Sequence, residues 1–264
     1  MHRCFVCIVH CALCISIAAC APRRLELPTD QGTPLLDFAN IYSQLVSTCA
    51  GVKTLTAELA LSGRAGGQDL RGRVIAGFAR PASMRLEGVA PFGPPAFILV
   101  ARDAVGTVLL PRENRVLQGA RADEILGALT GVALSPADLQ AIMTGCVMPA
   151  SDATGGRVHG NGLASLDLTG GATLYIQREG TRWRLRAATR PGWQIEYPGW
   201  QGEFPRTVRL RSRDEAAGVN ITAGISQLEA NVDLAASAFT VDVPPRALAL
   251  TLDELRNRGP IRGR

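Results

Sequence analysis

The segment TLTAELALSG (residues 54–63) decides the fold, because its apolar and polar side chains alternate with a period of two. The same alternation follows in DLRGRVIAGF (69–78) and in SMRLEG (83–88). A period of two places apolar side chains on one face of a strand and polar side chains on the other. We therefore predict consecutive strands of an antiparallel meander, with one face buried and one face in water. AFILVA (96–101) and GTVLL (106–110) continue this pattern.

The second half of the chain predicts a further set of strands after a polar loop at residues 151–162. These strands are TLYIQREG (173–180), TRWRLRAAT (181–189), WQIEYPG (193–199), RTVRLRSRD (206–214) and GVNITAGISQLE (218–229), with SAFTVDVPP (237–245) as the candidate for the last one. A long run of strands with few helices indicates a curved sheet or partial barrel. The fold-class prediction is therefore mainly β (α+β), an incomplete antiparallel β-barrel whose concave apolar face is covered by helices.

Helical patterns occur at a few places only. Thr33 is a suitable N-cap and Pro34 a suitable first helical residue, and the apolar stripe that follows ends near Gly51. A short helix is predicted at residues 122–129, and a second begins where Ser135 can cap and Pro136 occupies the first turn. LALTLDELRNR (248–258) predicts a terminal turn of helix.

The amino terminus has the pattern of an export signal. Arg3 precedes an apolar run from Cys4 to Ala19, and two alanines come just before Cys20. Ile17-Ala18-Ala19-Cys20 resembles a bacterial lipoprotein box, so we expect cleavage before Cys20 and acylation of its thiol. The alternative is a metal or iron–sulfur site at Cys4, Cys7, Cys11 and Cys14, which would need a polar shell to orient the ligands. This apolar run offers no such shell.

These signals divide the chain into four parts: a signal peptide (1–19), a flexible tether (20–33), one domain (34–247) and a carboxyl-terminal tail (248–264). Ala21 rather than Asp follows Cys20, which by analogy favours the outer membrane over the inner one. After cleavage, Cys49 and Cys146 would be the remaining thiols, and in an oxidising periplasm they are a natural disulfide pair. Whether their backbones approach closely enough cannot be decided from spacing.

The composition and the motifs argue against several classes of function. The net charge of +5 is spread along the chain without a basic run, so no nucleic-acid partner is predicted. The chain has no HExxH, GxSxG, phosphate-binding loop or dinucleotide-binding motif. His159 is the only histidine outside the signal, so neither a metal nor a cofactor is expected and the protein is predicted not to be an enzyme. A catalytic serine or carboxylate pair assembled only by folding remains the alternative.

Residues 84–145, MRLEGVAPFGPPAFILVARDAVGTVLLPRENRVLQGARADEILGALTGVALSPADLQAIMTG, resemble the LolB family of outer-membrane lipoprotein receptors. That family accepts other lipoproteins from the periplasmic carrier LolA. TRWRLRAA and EFPRTVRLRS are similar to its second half, so the resemblance covers about residues 35–229. FTVDVPPRALALTLDELRN instead resembles the final segment of the carrier.

The resemblance implies a lidded apolar cavity that binds acyl chains, in a monomer anchored by its lipid to the periplasmic face of the outer membrane. Its implied partners are acylated lipoprotein cargo and a soluble LolA-like carrier. The candidate lining residues are Leu59, Leu61, Val74, Ala76, Phe78, Met84, Leu86, Phe97, Leu99, Leu174, Ile176 and Leu185. A period of two alone cannot distinguish a hollow barrel from one filled by these side chains.

The resemblance also assigns a role to the turn Pro91-Phe92-Gly93. The family carries an exposed apolar residue at this turn, proposed to push incoming lipid into the bilayer, and Phe92 occupies that position. The alternative is that Phe92 folds back onto the sheet. A second function remains open as well, in which a lipid-anchored protein of the same fold binds another apolar ligand or assists envelope assembly through a protein partner.

Overall fold

The computed structural model describes residues 25–65, 67–146, 152–213 and 218–258. The predicted signal peptide, Cys20 with the first part of the predicted tether, and the last six residues lie outside these ranges. Within them, one large sheet forms most of the domain.

Fifteen strands of the described residues form this sheet. They are β1 (Thr33–Pro34), β2 (Thr54–Ala65), β3 (Gln68–Ala79), β4 (Ser83–Val89), β5 (Ile98–Arg102), β6 (Val105–Leu110), β7 (Arg115–Arg121), β8 (Ala153–Val158), β9 (Leu163–Leu168), β10 (Thr173–Glu179), β11 (Arg182–Arg190), β12 (Trp193–Gln201), β13 (Phe204–Ser212), β14 (Asn220–Ala230) and β15 (Leu248–Ala249).

The sheet is curved and unclosed. Its order is β1-β8-β9-β10-β11-β12-β13-β14-β2-β3-β4-β5-β6-β7-β15, so the first and last strands are separate edges. The pairings are antiparallel except for the short parallel one between β7 and β15. Alternation follows the prediction in the first half of β2, where Leu55, Ala57 and Leu59 are buried while their neighbours are at least partly exposed. In β5 and β6, where it was also predicted, consecutive residues are buried instead. The fold-class prediction is confirmed.

Four α-helices accompany the sheet in the described residues: α1 (Phe38–Ala50), α2 (Ala122–Thr130), α3 (Pro136–Thr144) and α4 (Leu252–Asn257). The start of α3 is fixed as the sequence predicted, because Ser135 Oγ accepts from the Asp138 amide at 3.1 Å. The Asp138 carboxylate accepts in return from the Ser135 amide at 3.1 Å, which completes a capping box. Gly145, at φ 65°, ends the helix in the left-handed conformation that favours glycine.

The start of α1 was predicted wrongly. Thr33 and Pro34 form β1, which pairs with β8, and α1 begins only at Phe38 after an Asp37 that makes no side-chain cap. The loop prediction for residues 151–162 was also wrong, because residues 153–158 form β8 between β1 and β9. The glycines hid this strand: a Cβ at Gly156 would lie 2.6 Å from Phe38 Cβ, so only glycine lets α1 approach here.

Residues 25–32, predicted as part of a flexible tether, lie against the edge strand β8 and the turn after it. The Arg157 guanidinium donates to the Gln31 carbonyl at 3.0 Å, and Asn161 Nδ2 donates to the Glu26 carbonyl at 3.3 Å. His159 Nδ1 lies 2.9 Å from Asp30 Oδ1, and the Gly160 amide donates to the same carboxylate at 3.2 Å. This segment is therefore fastened to the domain.

The carboxyl-terminal segment also packs on the domain. A 3₁₀ turn at Ala236–Phe239 replaces the strand predicted at 237–245, and its carbonyls accept hydrogen bonds from arginines of β4 and β5. Farther on, Arg115 of β7 donates to both carboxylate oxygens of Glu254 at 2.8 Å. Leu250 and Leu255 are 3% and 2% exposed and join the main core. Residues 248–258, predicted as the start of a tail, are thus part of the folded unit.

A disulfide joins Cys49, near the end of α1, to Cys146, just after α3. Their Cα atoms are 5.5 Å apart and 97 residues separate them in sequence. The disulfide therefore links α1 to the end of α3, two helices that cover different parts of the sheet.

Candidate functional site

An apolar cavity lies between the concave face of the sheet and the helices α2 and α3. Its volume is about 130 Å³. The sheet side is lined by Leu59, Leu61, Leu70, Gly72, Arg73, Val74, Phe78, Leu86, Gly88, Val89, Ala96, Phe97, Val208, Leu210, Ile221 and Ala223. Apart from the arginine, these side chains offer a ligand only hydrocarbon surface.

The helices and the loop between them form the lid of this cavity. The lid residues that line it are Leu126, Leu129, Thr130, Val132, Leu134, Leu139, Ile142 and Met143. Within the lid, helix α3 is held by its capping box and by an ion pair at 3.2 Å between Asp138 and Arg190 of β11. Helix α2 of the lid contacts the carboxyl-terminal helix α4. Both lid helices therefore rest on elements outside the cavity.

Half of the twelve cavity candidates named from sequence line this cavity. They are Leu59, Leu61, Val74, Phe78, Leu86 and Phe97. Ala76, Met84, Leu99, Leu174 and Ile176 are buried in the core outside it, and Leu185 lines a different, more polar pocket between α1 and β11.

The lid residues were not among the named candidates, although the sequence contained a signal for them. Leu126 with Leu129, and Leu139 with Ile142 and Met143, recur at the three- and four-residue spacing of one helix face. Val208 and Leu210 in turn follow the period of two in RTVRLRS.

The loop between β4 and β5 projects the Phe92 ring into solvent. The ring belongs to a residue that is 88% exposed, so it does not fold back onto the sheet. Two hydrogen bonds close the base of the loop, from the Gly88 amide to the Phe97 carbonyl at 3.0 Å and from the Ala96 amide to the Gly88 carbonyl at 2.9 Å. The Arg112 guanidinium donates to the carbonyls of Phe92 and Pro94, which holds the tip in place.

The loop and the cavity share their base. Gly88, Val89, Ala96 and Phe97 all line the cavity, and the Phe97 ring lies directly over Gly88, where an added Cβ would be 2.4 Å from ring carbon Cε1. A ligand that leaves the cavity at this end would therefore emerge beside the loop that carries the exposed aromatic ring.

The chemistry of the cavity suits an aliphatic ligand. Each methylene moved from water into apolar surroundings gains about 0.8 kcal/mol. A cavity near 150 Å³ with apolar walls binds a ligand as large as benzene, so a cavity of about 130 Å³ admits only a short length of an acyl chain. A whole chain requires α2 and α3 to move away from the sheet.

Asp30, His159 and Ser165 form a second cluster, with hydrogen bonds in the order of a catalytic triad. His159 Nε2 lies 2.9 Å from Ser165 Oγ, while Nδ1 faces Asp30. The hydrogen bond from the Gly160 amide, followed by that from His159, lowers the pKa of Asp30. Ser165, however, is 5% exposed within β9, between β8 and β10, and none of the described pockets includes it. The cluster fastens the amino-terminal segment to the sheet.

Two further features bear on the class of function. Within the ranges that the structure describes, no group of three or more His, Cys, Asp or Glu side chains is arranged to hold a metal ion. Likewise, none of the described helices has the length and apolar character needed to cross a bilayer.

Comparisons with known proteins identify the fold. No family model matches the chain, and no curated protein matches its sequence. Among solved structures, a LolA superfamily protein from Nitrosomonas europaea is similar with a TM-score of 0.53 at 11% identity, over 76% of this chain and 98% of that one. A DUF1329 family protein from Desulfovibrio piger has a TM-score of 0.52 at 13% identity, over 79% of this chain and 98% of that one.

The curved, unclosed sheet with its few helices is therefore a LolA-like fold. At these identities the likeness concerns the fold alone.

Proposed function

We propose that this protein is an envelope lipoprotein that binds acyl chains beneath the α2–α3 lid and releases them at a membrane. The observation that carries the proposal is the apolar cavity whose base is continuous with the loop of Phe92. An acyl chain needs apolar surface rather than precisely positioned polar groups, and the lining of this cavity is almost entirely apolar. The LolA-like fold supports the same proposal.

More specifically, we propose the role of a receptor in the outer membrane. Cys20 would carry the lipid anchor, and acylated lipoproteins would arrive from a soluble carrier. The resemblance of residues 84–145 to the LolB family supports this role, as does the exposed ring at the position of that family's protruding residue. Transfer would need no cofactor or energy source if the affinity for acyl chains increases from the carrier to the receptor.

The exposed loop can be tested with two matched substitutions. Phe92→Glu should leave cargo binding intact and abolish release of a lipoprotein into liposomes, because a carboxylate at the tip resists entry into the bilayer. Leu248→Glu is the control, since Leu248 is also exposed but lies on β15 at one edge of the sheet. Equal release by the two variants would remove the loop from the proposed mechanism.

The anchor can be tested independently. Metabolic labelling with radioactive palmitate should label the native chain and fail to label a Cys20→Ser variant. Fractionation of the same cells should place the labelled protein in the outer membrane. Label of equal intensity on both proteins would contradict the assignment of Cys20.

A second candidate function uses the same cavity for another apolar ligand. The carboxyl-terminal segment is compatible with it, because this segment departs from the receptor pattern, resembles the carrier's final segment and packs α4 against α2. Native mass spectrometry after exposure to a purified lipoprotein or to phospholipid would separate the two candidates. The receptor should retain the lipoprotein, whereas a general lipid-binding protein should retain phospholipid alone.

A further inference from the structure

An open groove on the outer surface of the sheet adjoins the apolar cavity. It has a volume of about 580 Å³ and lies between β2, β3 and the first residues of the loop after β4. Leu61, Gly72, Arg73 and Val89 line both the groove and the cavity. These residues separate the groove from the cavity. Gly72 has no side chain to fill the space between them.

The groove differs from the cavity in charge. Its lining includes Arg71, Arg73 and Ser62. Arg73 makes an ion pair at 2.8 Å with Glu58, while Arg71 makes neither an ion pair nor a hydrogen bond with any residue that the structure describes. One of the two cationic groups is thus paired with a carboxylate and the other is not, which leaves an excess positive charge in a groove that adjoins the apolar cavity.

This arrangement is complementary to an amphiphile with an anionic head. Arginine binds phosphate oxygens with paired, charge-assisted hydrogen bonds. A chain attached to that phosphate would have the apolar cavity directly within reach. The Phe92 loop begins at the same groove, since Ala90 and Pro91 also line it, and an aromatic ring beside cationic side chains is typical of a surface that meets anionic lipid.

We propose that the groove is a headgroup site for anionic glycerophospholipid, with the phosphodiester at Arg71 and Arg73 and an acyl chain inserted past Gly72 into the cavity. This inference rests on the proposed acyl-chain binding and adds a ligand class to it. The acylated cysteine of a lipoprotein carries no phosphate, so the groove selects phospholipid and not that cargo. A phospholipid held here would occupy the cavity until cargo displaces it.

The test compares single-chain lipids that share one acyl chain and differ in the head. The mature protein is titrated with lysophosphatidylglycerol and with the matching monoacylglycerol, and binding is followed by displacement of a fluorescent apolar probe. We expect lysophosphatidylglycerol to bind about five- to tenfold more tightly. Excess glycerophosphate, which has the head without the chain, should not weaken the binding of lysophosphatidylglycerol, whereas at a site for free phosphate it would.

Arg71→Gln should remove most of that preference and leave the affinity for monoacylglycerol unchanged. The control is Arg246→Gln, because Arg246 is an exposed arginine just before β15 and its loss changes the net charge equally. Since both residues are exposed, both variants should unfold at the same temperature as the native protein.

The outcomes separate the two proposals. If none of the lipids displaces the probe, acyl-chain binding itself is refuted. If both lipids bind equally, or if Arg71→Gln and Arg246→Gln lower the preference alike, the headgroup site is refuted while acyl-chain binding stands.

Discussion

The cavity volume leads to a quantitative prediction about ligand length. A volume of about 130 Å³ corresponds to a ligand of about six carbon atoms, by comparison with apolar cavities that hold benzene. At about 0.8 kcal/mol per buried methylene, such a ligand gains about 5 kcal/mol before the costs of association. The cavity should therefore bind hexanol with a dissociation constant no tighter than about 0.2 mM.

Longer alkanols test whether the lid moves. Each added methylene should tighten binding about fourfold if it is also buried. We expect this increase to continue from hexanol through octanol and decanol to dodecanol, because α2 and α3 can separate from the sheet to admit the chain. Amide hydrogen exchange in residues 122–144 should then rise with the longer ligands and stay constant with hexanol.

The assay is displacement of an environment-sensitive fluorophore, with calorimetry for the tighter ligands. Diols with a hydroxyl group at each end serve as controls of equal length, since burying the second hydroxyl without a partner is costly. Affinity that stops increasing at hexanol would refute lid movement. Affinity that does not depend on length at all, or that is equal for alkanols and diols, would refute the cavity as an acyl-chain site.

Three further predictions concern stability. Replacing Cys49 and Cys146 by serine opens a loop with a sequence separation of 97 and should lower the free energy of unfolding by about 4.7 kcal/mol on the chain-entropy model; equal urea midpoints for both proteins would contradict this. Hydrogen bonds from the β7 guanidinium lower the pKa of Glu254 from 4.5 to about 2, so this group stabilises the fold fully above pH 4.5 and the stabilisation is lost as the pH falls towards 2. The stability difference between native protein and Glu254→Gln should shrink over that window, and a constant difference in urea titrations would show that the ion pair has no such effect. Gly88→Ala should cost about 1–3 kcal/mol by overpacking against Phe97, and a second substitution, Phe97→Leu, should recover part of that loss; purely additive costs would mean that the ring does not lie over the glycine.

The sequence predicted the central strands well because their burial is local information. In β2 and β3 most apolar side chains alternate with polar ones, and Ile75, 50% exposed on the outer face, is an exception, so the period of two is visible without any partner. The capping box of α3 is equally local, since Ser135 and Asp138 are three residues apart. The structure of such elements can therefore be predicted from the local sequence alone.

The elements that were missed depend on contacts between distant residues. β8 contains Gly155 and Gly156 and shows no alternation, and it becomes a strand only because β1 and β9 pair with it. Asp30 reaches His159 across 129 positions, and no spacing rule could pair them. The same holds for the cavity: alternation identified buried positions such as Met84 and Leu99, but it could not show which of them border empty space.

The docked amino-terminal segment limits how far the protein could travel. Only six peptide units separate Cys20 from Glu26, whose carbonyl is held by Asn161, and six extended residues span about 20 Å. If Cys20 is acylated as proposed, this short linker keeps the domain close to the bilayer surface. The domain could not cross the periplasm to collect cargo, so a separate, soluble carrier would have to deliver it.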